Sequence, residues 1–235
     1  MTKAGLWWRV LIAALSSRSN RQFYDRISPF YDQVFVEHRQ HAINIAKILS
    51  AAFAGRRNTT RVLDLGCGTG LLSRMLAGID FDVTGVDISF ESLRRLRQLE
   101  HEIPAINADA AELPIIDGGC QAVVSLGVWR HFPDPPQVIR EIKRILASDG
   151  LLVIGYFPPA IGGAVHPGHG FWTRFLIRLY SFMTSRLGYV DRVDLSLERR
   201  TLSLTRKHFR QVSSIDSGEC WHLLVARGPL TGFSQ

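Results

Sequence analysis

The chain has 235 residues, 46% hydrophobic and 21% charged, which suits one large globular domain, bare or decorated, and excludes a low-complexity chain. Its net charge of +7 is uneven: residues 1–61 carry ten Lys/Arg against three acids, residues 62–170 eight against thirteen, and residues 171–235 ten against five. Basic ends around a mildly acidic centre suit a membrane surface, an anionic substrate or nucleic acid, or simply solvated arginines on helix faces.

The N-terminal stretch MTKAGLWWRVLIAALSS superficially resembles a signal peptide, but Arg9 interrupts its apolar run and what remains is too short to span a bilayer. Leu6, Trp7, Val10, Leu11 and Leu15 fall near helical spacing, with Lys3, Arg9, Arg18 and Arg21 nearby. Two readings of a helix over 5–16 stand side by side: a membrane-surface helix with its tryptophans at headgroup level, or a helix packed on protein. Residues 1–60 as a whole read as a helical cap.

From Arg61 strands and helices alternate. Arg61–Leu65 is a short buried strand running into glycines, and Leu71–Ala77 opens a helix. Phe81–Val86 is a second strand with Asp87 at its end, followed by an amphipathic helix over Ser89–Leu99 with Leu93, Leu96 and Leu99 inward. Pro104–Ala108 ends in Asp109, and Gln121–Leu126 is a closely apolar strand. In DPPQVIREIKRIL, Asp134 is the N-cap, Pro135 the first helical residue and Gln137 the partner of a capping box. Val138, Ile139, Ile142, Ile145 and Leu146 form its buried stripe, ASDG ends it, and Leu151–Gly155 is a fifth strand. Apolar strands alternating with helices indicate a parallel sheet covered on both faces, with its ligand outside the strands' carboxyl ends. Beyond Gly155 the rhythm breaks into a Gly/Pro-rich loop, a helix over Phe171–Leu187 with an aromatic stripe, a short basic helix in LTRKHFRQV, and a hairpin turning at Asp216-Ser217-Gly218. Cys67, Cys120 and Cys220 have neither disulfide nor zinc spacing and fit a reducing, cytosolic setting.

The chemistry starts at RVLDLGCGTGLLS. A phosphate loop needs Lys-Ser/Thr after its last glycine, where Leu71-Leu72 stand, and a dinucleotide GxGxxG would need glycine at Leu71. What remains is Asp64, Gly66, Gly68 and Gly70: bare backbone for close approach, amides for a carboxylate, and an aspartate to accept from an ammonium. Asp87 suits two vicinal ribose hydroxyls. Asp109 can accept from an exocyclic amine, with Ile88 and Ala110 as apolar flanks for a base. Amino acid, ribose and adenine in one line describe S-adenosyl-L-methionine (SAM).

With VLDLGCGTG, VTGVDIS, NADAAELPIIDGGCQAVVSLGVWRHFPD and EIKRILASDGLLVIGYF in register, the sequence resembles class I SAM-dependent methyltransferases, most of all the small-molecule branch with the ubiquinone/menaquinone methyltransferases. FYDRISPFYDQVF is similar to the paired Tyr-Asp segment that closes over the cofactor there. The resemblance implies an α/β fold with a Rossmann-like, mostly parallel sheet, an antiparallel C-terminal hairpin strand, helices on both faces and a helical N-terminal cap. It implies a SAM-binding domain over 61–235 with a substrate-side insertion at 156–190. Asp64, Gly66, Gly68 and Gly70 would line the methionine part, with Cys67 as a small filler of the loop. Asp87 would take the ribose, Asp109, Ala110 and Ile88 would frame the adenine, Leu126 and Gly127 would pass beside the sulfonium, and Tyr31, with Tyr24, would cover it.

SAM already activates its methyl group, so holding the acceptor in line is the main task, with a base where the acceptor is a hydroxyl or an activated ring carbon. His131 is the first candidate base, and His166 and His169 are alternatives; the last two lack a third ligand for a metal, and His208 and His222 read as structural. Phe30, Tyr31, Phe35, Tyr156, Phe157, Phe171, Trp172 and Phe175 suit either an acceptor pocket or plain core packing. An apolar pocket beside a membrane-surface helix points to a hydrophobic small-molecule acceptor such as a quinone, phenol, lipid or natural product, and to a cytoplasmic chain peripheral at the membrane. DNA methylation is disfavoured, because SLGVWRHF stands where an Asn/Asp-Pro-Pro-aromatic signature is expected. RNA methylation, or a SAM-binding partner subunit without turnover, remain the alternatives. The acceptor atom and the oligomeric state are not readable from the residues.

Overall fold

The computed structural model describes residues 2–36, 38–156, 197–216 and 222–230, with positions 171, 172, 175 and 179 between them. Among these, seven strands form one sheet in the order β3-β2-β1-β4-β5-β7-β6. They are β1 (Arg61–Leu65), β2 (Asp82–Asp87), β3 (Ala105–Asn107), β4 (Cys120–Leu126), β5 (Leu146–Tyr156), β6 (Phe209–Asp216) and β7 (His222–Pro229). β1 to β5 run parallel, and β7 is antiparallel to both β5 and β6. The strand order therefore reverses at β1/β4, opening a crevice at the carboxyl ends of β1, β2 and β4.

β1 shows why the sheet is a middle layer. Leu63 and Leu65 point into one buried cluster with Val138, Ile139, Ile142 and Ile145 of helix α7 (Pro135–Ile145). Val62 points the opposite way, into a cluster with Leu72 and Leu76 of α5 (Leu71–Ala77) and Ile45 and Leu49 of α4 (His38–Ala52). Period-two alternation with apolar residues on both sides is what a doubly covered strand requires.

The helical segment ahead of the sheet is in two parts. α4 belongs to the sheet's own layer. Residues 6–34 form a separate cluster from α1 (Lys3–Ser16), α2 (Asn20–Ile27), a 3₁₀ turn at Ser28–Phe30 and α3 (Tyr31–Val34), with Trp7, Val10, Phe23 and Ile27 at its centre. α1 is thus a packed helix, N-capped by Thr2, whose hydroxyl accepts from Gly5 N–H at 3.3 Å. Leu15 is the exception to the expected face: it is 49% exposed, beside Trp8 and Ile12.

Four further expectations are corrected. Leu99 is 39% exposed rather than inward, because it is the last residue of α6 (Phe90–Leu99), past the stripe set by Leu93 and Leu96. Asp134 caps α7 through Gln137 N–H at 3.0 Å, but the Gln137 side chain donates to the Ala111 carbonyl instead of closing a capping box. ASDG lies inside β5 as a bulged lead-in, where the register jumps between Cys120 and Ala122. The basic stretch LTRKHFRQV is not one helix: α8 (Leu197–Arg206) stops at Arg206, and Phe209 begins β6 because its pairing with Pro229 buries it. The hairpin's turn, the Gly/Pro-rich loop with His166 and His169, Phe157, and most of the predicted 171–187 helix lie outside the described residues.

Candidate functional site

The glycine loop between β1 and α5 is built for backbone geometry. Gly66, Gly68 and Gly70 have φ of +74°, +55° and +82°, the left-handed region that β-carbons disfavour. Their roles differ. A β-carbon on Gly66 would stand 2.5 Å from Val128, and one on Gly70 would collide with Leu96, so both are bare because protein packs against them. A β-carbon on Gly68 would meet nothing within 4 Å. Gly68 is therefore the one loop glycine whose bare side faces open space, where a ligand can lie on the backbone. Cys67 is buried under Gly85, and burial together with Asp87 and Asp64 raises its thiol pKa well above the ordinary value, which suits a packing residue and not a nucleophile.

The two aspartates also separate. Asp64 is 1% exposed and accepts from the Ser73 hydroxyl at 2.6 Å, tying β1 to α5 from behind the loop. Burial is the chief reason its pKa rises to about 7, with the Ser73 hydrogen bond opposing. Asp87 ends β2 inside the crevice: Oδ2 accepts from Gly68 N–H and Oδ1 from Ser89 N–H, each at 2.8 Å. One N–H per oxygen leaves further acceptor sites on the carboxylate, enough for a pair of vicinal hydroxyls. Burial raises the Asp87 pKa and those two amides oppose the rise.

Two residues beyond β3, Asp109 is exposed and its Oδ1 accepts from Ala111 N–H at 2.9 Å. Ala110 is 8% exposed and Ile88 46% exposed, one apolar flank set back and one projecting. Leu126 and Gly127 are half-buried at the end of β4, and Gly127 N–H donates to the Gly155 carbonyl at 2.8 Å. An open bare-backbone position, a strand-end carboxylate with spare acceptor sites and two apolar flanks fit the amino-acid, ribose and base parts of SAM. Asp64 is set apart from these, buried at β1 with Oδ2 accepting from the Ser73 hydroxyl.

Sequence reasoning singled out the paired Tyr-Asp segment but missed which residues its aspartates hold. Asp32 accepts from the Thr69 hydroxyl at 2.5 Å, inside the glycine loop, and pairs with Arg74 at 3.4 Å. Asp25 accepts from the Ser89 hydroxyl at 2.6 Å and from Glu91 N–H at 3.3 Å, at the N-terminus of α6. Two cap aspartates thus hold the two loops that Asp87 bridges. The available signal was the repeated Tyr-Asp pair, Tyr24-Asp25 and Tyr31-Asp32.

The tyrosines of those pairs face the crevice's other wall. Tyr24 Oη lies 2.8 Å from His131 Nε2, and the rings meet edge to face at 5.4 Å. His131 belongs to a 3₁₀ turn, Trp129–His131, just after β4; the turn is anchored by buried Trp129, whose indole N–H donates to the Thr201 hydroxyl at 2.8 Å. Tyr31 is half-buried beside Tyr24 and 3.4 Å from His38 Nδ1. Burial, aided by His41 and Arg130, lowers the His38 pKa to about 3, so this imidazole is neutral at physiological pH. Phe30 is buried in the cap core, and Tyr156 is buried and stacked on His222 at 6.2 Å. Phe171, Trp172 and Phe175 are exposed. Among the described residues no group of three or more His, Cys, Asp or Glu could hold a metal ion.

Residues 63–154 match the family described as "Methyltransferase domain". The chain is 31% identical over 122 residues to a ubiquinone biosynthesis O-methyltransferase of Xanthomonas campestris pv. campestris, covering 48% of this chain and 50% of that protein. It is 31% identical over 153 residues to 27-O-demethylrifamycin SV methyltransferase of Amycolatopsis mediterranei, covering 57% and 56%. The chain spans about half the length of these curated relatives. Its fold is shared, at a TM-score of 0.56 and 16% identity over 80% of this chain and 53% of the other, by Haemonchus contortus phosphoethanolamine N-methyltransferase 2 in complex with SAM. The segment carrying the crevice thus matches a methyltransferase domain, and the cofactor that match implies is SAM.

Proposed function

We propose that this chain transfers the methyl group of SAM to a hydroxyl oxygen of a small, apolar acceptor, with the Tyr24–His131 pair taking the proton. Bound SAM supplies an electrophilic methyl on a sulfonium, so the chain need only align the acceptor, exclude water and accept one proton. Gly68 and Asp87 hold the cofactor, the latter through the ribose hydroxyls. The cap excludes water.

The observation that carries the reading is the 2.8 Å contact between Tyr24 Oη and His131 Nε2, which joins cap to sheet at the end of β4. As the acceptor's oxygen takes the methyl, its proton passes to the Tyr24 oxygen while Tyr24 hands its own to Nε2. The oxygen–carbon bond forms, the sulfur–carbon bond breaks and the imidazole ends as imidazolium. Aromatic Tyr24, Tyr31 and Phe35 on the cap side favour an apolar acceptor such as a phenol or quinol, and the O-methyltransferase names of the relatives agree with oxygen as the acceptor atom. Such an acceptor partitions into lipid, so the chain meets it at a membrane surface.

The test is transfer of labelled methyl from SAM into lipid and polar extracts. Label in the lipid extract is expected. His131→Ala and Tyr24→Phe should each lower kcat by about 10²-fold or more while leaving SAM affinity within about threefold. Label confined to polar macromolecules would favour RNA, and measured SAM binding with no label anywhere would leave a partner subunit.

A further inference from the structure

α1 is apolar on both sides. Leu6, Trp7, Val10 and Ala14 fill the cap core. On the opposite side Trp8, Ile12 and Leu15 form one stripe at helical spacing, 52%, 49% and 49% exposed. A surface helix ordinarily turns polar residues outward there. A second apolar patch adjoins the same core: Phe171, Trp172 and Phe175 are 74%, 68% and 49% exposed, with ring centroids 5.6 Å and 6.3 Å apart in turn. Leu179, helical like them, packs against the cap core.

Charge decides what covers these patches. Between Thr2 and Tyr24 the chain carries Lys3, Arg9, Arg18 and Arg21 and no acid; the first acidic residue is Asp25. Two copies of this face set together would bring like charges into contact, which opposes a self-interface. An anionic surface attracts them. The helix is 14 residues long, about 21 Å, against a hydrocarbon thickness of about 30 Å. Among the described residues no helix is long and apolar enough to cross a membrane. An exposed Trp/Ile/Leu stripe flanked by cations is the chemistry of a helix lying in the headgroup plane.

We propose that the outer face of α1, together with Phe171, Trp172 and Phe175, docks the cap onto an anionic bilayer. Trp8, Ile12 and Leu15 enter the acyl boundary while Arg18 and Arg21 meet lipid phosphates; Arg9 lies 4.3 Å over the Phe30 ring of the cap core. This inference rests on the proposed reading that an apolar acceptor is met at a lipid surface, and it names the face. It also reverses the expected orientation: Leu6, Trp7, Val10 and Leu11 point into protein, and the opposite side carries the contact.

The full chain is floated with vesicles of phosphatidylcholine alone and with vesicles that also contain phosphatidylglycerol. Binding to the phosphatidylglycerol vesicles, falling about tenfold or more as salt rises from low to physiological, is expected. The triple variant Trp8→Ser, Ile12→Ser, Leu15→Ser should lower that partition about tenfold or more, and Phe171→Ser with Trp172→Ser should lower it further. Cofactor affinity, read by calorimetry, verifies that each variant is folded and is expected to stay at the wild-type value. Wild-type binding to neither vesicle, or equal binding by the triple variant, overturns the proposal. So does a wild-type dimer that the triple variant turns into a monomer, which would assign the stripe to a second copy. Vesicle binding with no methyl transfer would sink the proposed function and leave the docking face standing; transfer to a soluble phenol without vesicle binding would do the reverse.

Discussion

The two walls of the crevice are made in different ways. The sheet wall is backbone: three left-handed glycines, strand ends, and a carboxylate held by two amides. The cap wall is side chain: Asp25, Asp32 and Tyr24 reach across 37 to 107 sequence positions to touch Ser89, Thr69 and His131. The sheet wall is set once the sheet folds, and the cap wall is set only when a second cluster docks. Burial of a Phe, Leu or Ile side chain contributes about 1.5–3 kcal/mol and a hydrogen bond about 1. The cap's own shape therefore rests on its apolar core, and its position on a few hydrogen bonds.

If that contrast holds, the sheet wall should break abruptly and the cap wall gradually. Gly70→Ala combines a collision with Leu96 and a left-handed β-carbon, and should cost about 2–5 kcal/mol in urea denaturation. Gly68→Ala should cost only about 1–2 kcal/mol yet abolish measurable SAM binding, because its methyl enters the ligand's space. Equal stability losses would erase the distinction between packing glycine and ligand glycine. Asp87→Ala should weaken SAM by about 2–4 kcal/mol in calorimetry, since it removes the hydroxyl acceptor and frees two amides; an unchanged dissociation constant would remove its ribose role. Asp32→Asn should loosen the cap by about 1 kcal/mol, read as faster proteolysis within residues 1–36, with sheet stability unaltered.

Two buried groups should give the fold opposite pH dependences. His38 stays neutral in the folded chain down to about pH 3, whereas unfolded it takes a proton near 6.5. Stability from this residue is therefore lost as pH falls from about 6.5 toward 3. Asp64 behaves oppositely: folded, it holds its proton up to about pH 7, while the unfolded carboxyl releases it near 3.8. Its contribution is lost as pH rises from about 4 to 7. In melting curves across pH, His38→Gln should flatten the acid limb and Asp64→Asn the neutral one. A wild-type slope in either variant would assign that limb elsewhere.

The same contrast explains what the residues made legible. β1, α5, α7 and the parallel order could be read because apolar periodicity, caps and glycines are local signals. The boundary between α8 and β6 could not, since Phe209 is a strand residue only through its partner Pro229. Asp64 and Asp87 look alike as strand aspartates; alternation on β1 and chain end on β2 send one behind the loop and the other into it. The Asp32–Thr69 and Tyr24–His131 contacts are long-range side-chain meetings with no periodicity to announce them, and the repeated Tyr-Asp pair was their only trace.

Asp32 and Asp25 take their hydrogen bonds from Thr69 and Ser89, residues of the same two loops that Asp87 draws together. Cap and cofactor therefore act on one shared element, and thermodynamic reciprocity applies: whatever factor the seated cap adds to cofactor affinity, the cofactor returns to the seating of the cap. A surface that grips the outside of α1 more tightly when the cap is seated would then tighten the proposed cofactor site without touching it.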